Sequence, residues 1–316
     1  MDFEEYQKLA RQTSQLRLGG PQSAIAPMLG LAGGTGSILG VYQRYLRDNI
    51  DLRANRDLLR ENLGDLLWYL AAVASACDLS LTDIAELNLV RTRDRYDQST
   101  TGLPVFDAGF PEHERFPRRL VIEFYEEDGL SENPRACLKV IAARPNPFEA
   151  GTLTSAGGKA LGFQIGESLG DALTDNSRRA DGYRFHDAIH LGFMAVLNWS
   201  PNTRSLLRMK RKSDIGTDET EDGARAIFAE EGLAAVLSRL SERRTGFMSE
   251  ASVDGDVLEV AAAAATGLEV AAVPAWLWRR AICQGFRAMR LLRENLGGYL
   301  DADLDARTLR YRKMLE

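Results

Sequence analysis

Two of the three histidines in this 316-residue chain occur in one five-residue segment, HDAIH, at positions 186–190. A spacing of four residues places His186 and His190 on the same side of a helix. Ile189, Phe193 and Leu197 continue that stripe, so we expect it to face inward. Buried imidazoles must be hydrogen-bonded or bound to a metal. The segment therefore predicts a metal or catalytic site, or else a polar network that joins two helices.

A second predicted helix, which starts near Glu221, supplies carboxylates that can complete such a site. Helical periodicity puts Glu231 in the middle of an apolar stripe with Ile227 and Phe228, and Glu230 at its edge. A lone buried carboxylate is costly unless it is paired. Two histidines and carboxylates from packed helices form a natural set of divalent-metal ligands.

These residues are expected to divide the chemistry between them. Asp187 or Glu230 is expected to orient a ligand or to act as general base. The expected metal ligands in this half of the chain are His186, His190, Glu221 and Glu231. The spacing of the two histidines lacks the glutamate of the HExxH motif. The HD pair resembles HD-type phosphohydrolases, but the further upstream His and downstream Asp of that pattern are not evident.

Five basic residues fall within positions 204–212, between the two helices. Next to a carboxylate and histidine pocket, such side chains can hold phosphates. The alternative is a solvated helix end, where cations are also favoured. Arg225 lies one turn after Glu221 and either pairs with it or reaches a phosphate. The expected phosphate contacts from the basic segment are Arg208, Lys210, Arg211 and Lys212.

The elements that must position these residues are mainly helical. Apolar periodicity predicts four helices in residues 1–97, and alternation predicts a small antiparallel β-sheet in 119–171. Helices are expected again over 182–312. A Gly- and Pro-rich stretch at 98–118 is expected to link an N-terminal helical bundle to a C-terminal domain, 119–316. The predicted fold class is mainly α with a small β segment.

Composition narrows the function classes. The chain has 39 Lys and Arg against 45 Asp and Glu, a formal net charge of −6, which argues against general nucleic-acid binding. Three separated cysteines without a CxxC spacing disfavour a zinc-thiolate site and a disulfide framework. The N-terminus does not read as a signal peptide, and the most apolar stretch, 257–273, carries Glu259 and Glu269. We therefore expect a cytoplasmic protein without a membrane partner.

Two N-terminal segments carry a resemblance to a known family. They are MLGLAGGTGSILGVYQRYL (28–46) and ENLGDLLWYLAAVASACDLSLTDIAELNLVRTRDRY (61–96). They resemble the MazG-like all-α nucleoside triphosphate pyrophosphatases. The resemblance implies a helical bundle whose carboxylates hold magnesium, which bridges the triphosphate and activates a water. It also implies that Asn88 and Arg91 lie where the family places phosphate- or sugar-contacting groups.

This sequence departs from that family at its metal ligands. Gly34 and Ser37 stand where the family has an acidic pair, and Asn62 stands where a second glutamate is expected. Of four usual acidic ligands only Asp65 remains, with Glu61 nearby. One carboxylate is a poor magnesium site, so the bundle is expected to bind a nucleotide without cleaving it, or to serve in packing and dimerisation.

The C-terminal part also carries a resemblance, through GYRFHDAIHLGFMAVLNWSP (182–201) and EDGARAIFAEE (221–231). It resembles a C-terminal domain found fused to MazG-like modules, over about residues 119–312. The combined expectation is a metal-dependent nucleotide phosphohydrolase or pyrophosphohydrolase, with magnesium or manganese, whose C-terminal His/Glu site is the favoured catalytic centre. A homodimer is expected. The alternative is a catalytically inactive nucleotide sensor or dimeric scaffold, for example in phage defence.

Overall fold

The computed structural model describes residues 1–14, 24–48, 55–96, 102–127, 134–144, 162–178 and 180–314. The chain divides into two compact units, Met1–Asp94 and Arg95–Glu316. Helices dominate both, and one small antiparallel sheet lies in the second unit. The predicted fold class, mainly α with a small β segment, is confirmed.

The N-terminal helices are α1 (Phe3–Thr13), α2 (Ile25–Asp48), α3 (Arg56–Ala76) and α4 (Leu81–Tyr96). Side chains cap the starts of α1 and α4, where the first N–H groups of a helix have no partner within it. The Asp2 carboxylate accepts a hydrogen bond from the Glu5 N–H at the start of α1. The Ser80 hydroxyl accepts one from the Asp83 N–H at the start of α4.

The core of the first unit is small. Ala10, Ala71, Ala74 and Leu81 form it, and α2 contributes none of its side chains to that cluster. On α2, large apolar side chains such as Leu29 are exposed instead. By length and composition alone, Ile25–Arg47 is a helix that is long and apolar enough to cross a membrane.

The second unit contains a five-stranded antiparallel sheet in the order β3-β2-β1-β4-β5. Leu120, Ile122 and Phe124 alternate along β1 and are buried on the face that joins the core. Within the region predicted as a small sheet, 119–171, the observed β3 starts at Ser168. The strands are β1 (Arg119–Glu127), β2 (Arg135–Arg144), β3 (Ser168–Leu173), β4 (Gly297–Asp303) and β5 (Thr308–Arg312).

The α-helices of this unit within the described residues are α5 (Asp187–Leu197), α6 (Pro201–Leu206), α7 (Ile215–Thr220), α8 (Ala224–Ser241), α9 (Gly255–Ala265) and α10 (Ala275–Asn295). The region predicted to stay helical to residue 312 therefore changes to strands after Asn295. Leu296, Gly297 and Gly298 all have positive φ, which ends the helix and starts β4 in a conformation that glycine adopts readily.

Helices α5 and α10 cross in the centre of this core. Residues 188–197 of α5 are all buried, so packing surrounds the helix almost completely. The crossing is close because glycine faces glycine: a Cβ added to Gly192 would lie 2.9 Å from the Gly285 Cα. The helix that carries HDAIH is thereby fixed by direct backbone contact.

The segment predicted as a linker contributes buried groups to this second unit. Asp107, Glu114 and Phe116 are buried. The Phe116 ring lies under the Arg204 guanidinium, 3.9 Å from its carbon to the ring centre. These residues pack as part of the C-terminal unit.

Candidate metal centre

The start of α5 brings three metal-ligating side chains together. His186 precedes the helix, Asp187 is its first residue, and His190 follows one turn later. One ligand atom from each lies within 4.8 Å of the other two. Because the Tyr183 carbonyl, 2.9 Å away, can only accept, Nδ1 of His186 donates to it. The other nitrogen, Nε2, is then unprotonated in the neutral ring and can bind a metal.

A buried carboxylate orients the second imidazole. Nδ1 of His190 donates to Oε1 of Glu230 over 2.9 Å. Glu230 is 0% exposed and also accepts from the Ser200 hydroxyl at 2.6 Å. Its Oε2 accepts from the backbone N–H and the side-chain amide of Asn202. With four donors around it, Glu230 positions His190 and is not available as a base.

The remaining nitrogen of His190 is an orphan. Nε2 is buried and makes no hydrogen bond. Among the buried side-chain nitrogen and oxygen atoms of the described residues, the Trp199 indole nitrogen is the other one that lacks a partner. Unsatisfied buried polar atoms are rare and call for an explanation. Oε2 of Glu231 lies 3.5 Å from it, and Oε1 lies 3.7 Å from Nε2 of His186. Two imidazole nitrogens and two carboxylates fit a divalent cation, and an ion between them would satisfy the orphan.

The charges of these groups are adjusted by their neighbours. Burial disfavours the charged imidazole of His190, but the negative charge and hydrogen bond of Glu230, with Glu231, raise its pKa above the usual value, so a metal that binds Nε2 must displace a proton from it. The imidazoles of His186 and then His190 hold the pKa of Glu231 well below its usual range. Burial raises the pKa of Asp187, against the opposing effect of both histidines. Glu231 is therefore an ionised oxygen donor at neutral pH.

These side chains open onto a cavity of about 590 Å³. Its walls come from β3, from Tyr183 and from residues 202–208. Glu231 reaches it with a side chain that is 43% exposed. A cavity of this size accommodates a small organic ligand. Of the basic residues predicted to contact a phosphate, Arg208 lines this cavity.

The other basic residues are placed in two different ways. Lys210 and Lys212 line a neighbouring cavity together with Arg208. Arg211 is 1% exposed and is bound by Asp222 and Glu269, so it is not available to a phosphate. Its place in a run of charged residues suggested a solvent-facing cation, but the fold turns it inward.

A buried ion-pair network stands behind the basic segment. Arg204 pairs with Asp107 at 2.9 Å, and Arg211 pairs with Asp222 at 2.8 Å. Glu221, predicted as a metal ligand, belongs here: its carboxylate accepts from the backbone N–H of Glu269. It is not in the group of ligand atoms around the two histidines.

Comparison with known proteins adds a family to this geometry. Residues 153–315, more than half of the chain, match the family model of the MazG C-terminal domain. The chain belongs to the MazG C-terminal domain family. The match contains the HDAIH segment, the basic segment and helix α8. The family assignment therefore covers the part of the chain that carries the candidate metal centre.

A phage protein is also similar to this chain. The Gene 37 protein of Mycobacterium phage L5 is 35% identical over 72 residues, which is 22% of this chain and 63% of the phage protein. The chain thus spans less than two thirds of that relative. No solved structure matches. The MazG-like character of residues 1–97 stays a prediction.

Outside the MazG C-terminal domain, the predicted site residues lie in the first unit. Asp65, Asn88 and Arg91 are exposed there. The side-chain amide of Asn62 donates to the backbone carbonyl of Leu58, within its own helix. Across the described ranges, the structure groups three metal-ligating residues only at the start of α5.

Sequence reasoning missed several residues that support the centre of this MazG C-terminal domain. Tyr183 stacks on the His186 ring with centroids 4.4 Å apart, and Ser200 and Asn202 bind Glu230. Ser200 precedes Pro201 and caps α6, which is a recognisable helix start. Nothing in the local sequence connects it to Glu230. Arg225, a predicted phosphate contact, is exposed and lines neither cavity.

Proposed function

We propose that this protein is a divalent-metal-dependent phosphohydrolase that acts on a nucleotide, with its catalytic centre at His186, Asp187, His190 and Glu231. The observation that carries the proposal is the orphaned Nε2 of His190 among three further ligand groups, at the wall of a cavity. A bound divalent ion polarises a phosphoryl oxygen and lowers the pKa of a bound water.

The chain's own residues divide the work as follows. His186, Asp187, His190 and Glu231 hold the metal, and Glu230 holds His190 in the orientation and tautomer that leave Nε2 available. Arg208 contacts a phosphate oxygen of the substrate at the edge of the same cavity. Two imidazole ligands favour manganese over magnesium, since magnesium prefers an all-oxygen shell.

A turnover screen tests this proposal. Common ribo- and deoxynucleoside triphosphates are incubated with the protein and with magnesium or manganese, and the products are separated by chromatography. Release of a nucleoside monophosphate and pyrophosphate is expected. Glu231→Gln should abolish it, whereas Glu259→Gln, at an exposed glutamate of α9, should not. Full turnover in Glu231→Gln would place the chemistry elsewhere.

The homodimer expected from the sequence is also a proposal. The exposed apolar side chains of α2, among them Leu29, Leu39 and Leu46, support it, because a monomer rarely leaves so many in contact with water. Light scattering coupled to size-exclusion chromatography gives the mass in solution. A monomer at micromolar concentration would contradict this proposal without affecting the metal centre.

A further inference from the structure

A second cavity adjoins the metal centre and has a different chemical character. It encloses about 380 Å³. Arg208 lines both cavities, so one side chain joins the two spaces. The residues of the second cavity are Pro111, His113, Glu114, Arg208, Lys210, Lys212 and Ser213.

The second cavity is positively charged. Three cationic side chains line it, and none has a carboxylate within 4.0 Å among the residues that the structure describes. The one carboxylate of the lining, Glu114, is buried and receives hydrogen bonds from the backbone N–H and the hydroxyl of Ser213. A concave surface concentrates the field of such charges, and this one lies in a protein whose net charge is −6.

The backbone fixes these cations in place. Arg211 lies between the two lysines in the sequence and is buried. Its backbone N–H donates a hydrogen bond to the Asp222 carboxylate over 2.7 Å. Lys210 and Lys212, on either side of it, turn toward the cavity. Arg208 adopts a left-handed conformation with φ 55°, and a Cβ on Gly162 would lie 2.5 Å from its carbonyl oxygen. The basic residues thus stand on an anchored loop, which lowers the entropy that a bound anion must remove.

We propose that this basic cavity is an anion subsite that binds phosphate groups of the same ligand whose reacting phosphate lies at the metal centre. Guanidinium and ammonium donors match phosphate oxyanions, and Arg208 stands where a phosphate chain passes from one cavity to the other. The ligand class is therefore a linear polyphosphate ester. This inference rests on the proposed function of the metal centre.

Calorimetry on the full chain in the presence of EDTA tests the subsite without any turnover. The probe is inorganic tripolyphosphate at low ionic strength, where charge contacts are least screened. The double variant Lys210→Ala/Lys212→Ala should bind it at least about tenfold more weakly. Lys313→Ala, which removes an exposed lysine that lines neither cavity, should change the affinity less than about twofold.

Two results would overturn the subsite: no binding of tripolyphosphate to the native chain, or the same affinity in the double variant. Orthophosphate distinguishes a single phosphate from a chain. Tripolyphosphate is expected to bind at least about tenfold more tightly, and Arg208→Ala should reduce that ratio. An unchanged ratio of the two affinities would overturn the inference that one ligand spans both cavities. Because metal is absent, failure here leaves the turnover screen informative, and failure of turnover leaves this measurement intact. Thermal melts confirm that each variant is folded.

Discussion

Glu230→Gln separates the orientation of His190 from direct metal binding. The carboxylate accepts four hydrogen bonds, two at each oxygen. Glutamine has nearly the same shape but only one acceptor oxygen. If its NH₂ group faces Asn202, the backbone N–H and the side-chain amide of Asn202 both point at another donor and lose their acceptor. If it faces His190, the proton must move from Nδ1 to Nε2, which removes the lone pair intended for the metal.

The magnitude follows from these contacts. Two hydrogen bonds to a buried charge are lost, each worth about 1.5–3 kcal/mol, partly offset because no charge is then buried. We expect about 3 kcal/mol of lost stability. For a unit of this size, that lowers the melting temperature of the metal-free protein by about 6–12 °C. Manganese affinity should fall about 10–100-fold, as is typical when a partner of a metal ligand is changed.

Glu231→Gln is the matched comparison. Glu231 neighbours Glu230, but its side chain is 43% exposed and makes no comparable set of hydrogen bonds. Its loss should weaken manganese binding at least as much, while the metal-free melting temperature falls by less than in Glu230→Gln, because solvent screens the ion pairs of a side chain that is 43% exposed. Calorimetric titration with manganese and thermal melts in EDTA measure both quantities. A Glu230→Gln protein with native affinity and native melting temperature would refute the positioning role.

Three further predictions concern the fold of the second unit. Gly192→Ala forces a methyl group against Gly285 and should cost about 1–3 kcal/mol in urea unfolding; an unchanged midpoint would mean that α5 and α10 can separate. Asp222→Asn removes a negatively charged partner of the buried Arg211 and should lower the free energy of unfolding by about 3–5 kcal/mol in the same assay. A much smaller loss would mean that the pair behaves as a surface ion pair. The hydrogen bond from Arg119 lowers the pKa of Asp301, so the ion pair stabilises the fold above about pH 4 and loses that effect as the carboxylate is protonated. The difference in stability between the native protein and Asp301→Asn should therefore shrink below that pH. A difference that stays constant with pH would contradict the ionic origin.

The sequence was sufficient for the helix that carries the histidines. Periodicity around His186 and His190 predicted an inward stripe, and the structure buries all of residues 188–197. The sequence was less informative for α8, which is apolar on two faces. Periodicity favoured the face with Phe228 and Glu231, but Phe228 is exposed and Glu230 is fully buried. Packing against α5 and α6 selects between the faces, and that choice depends on distant residues.

Glu221 shows a second reason why local reasoning fails. Its predicted role as a metal ligand together with Glu231 assumed one helix that starts near Glu221, but α8 starts at Ala224, after an extended Gly223. A Cβ there would lie 2.1 Å from the Glu219 carbonyl, so the chain requires glycine at the break. The helical periodicity therefore does not continue from Glu221 to Glu231. The burial of Arg211 could not be predicted from the local sequence either, because its partner Glu269 is 58 residues away.

The contact between Gly192 and Gly285 has a consequence for how ligands enter and leave. No layer of side chains separates the two helices there, so α5 cannot slide or tilt without a collision of backbones. We therefore expect the position of His190 on α5 to change little with what fills the cavity. The rest of the cavity wall is formed by β3 and residues 202–208, and we expect exchange of substrate and product to involve that part. We therefore expect a metal bound at this centre to stay in place while the contents of the cavity change.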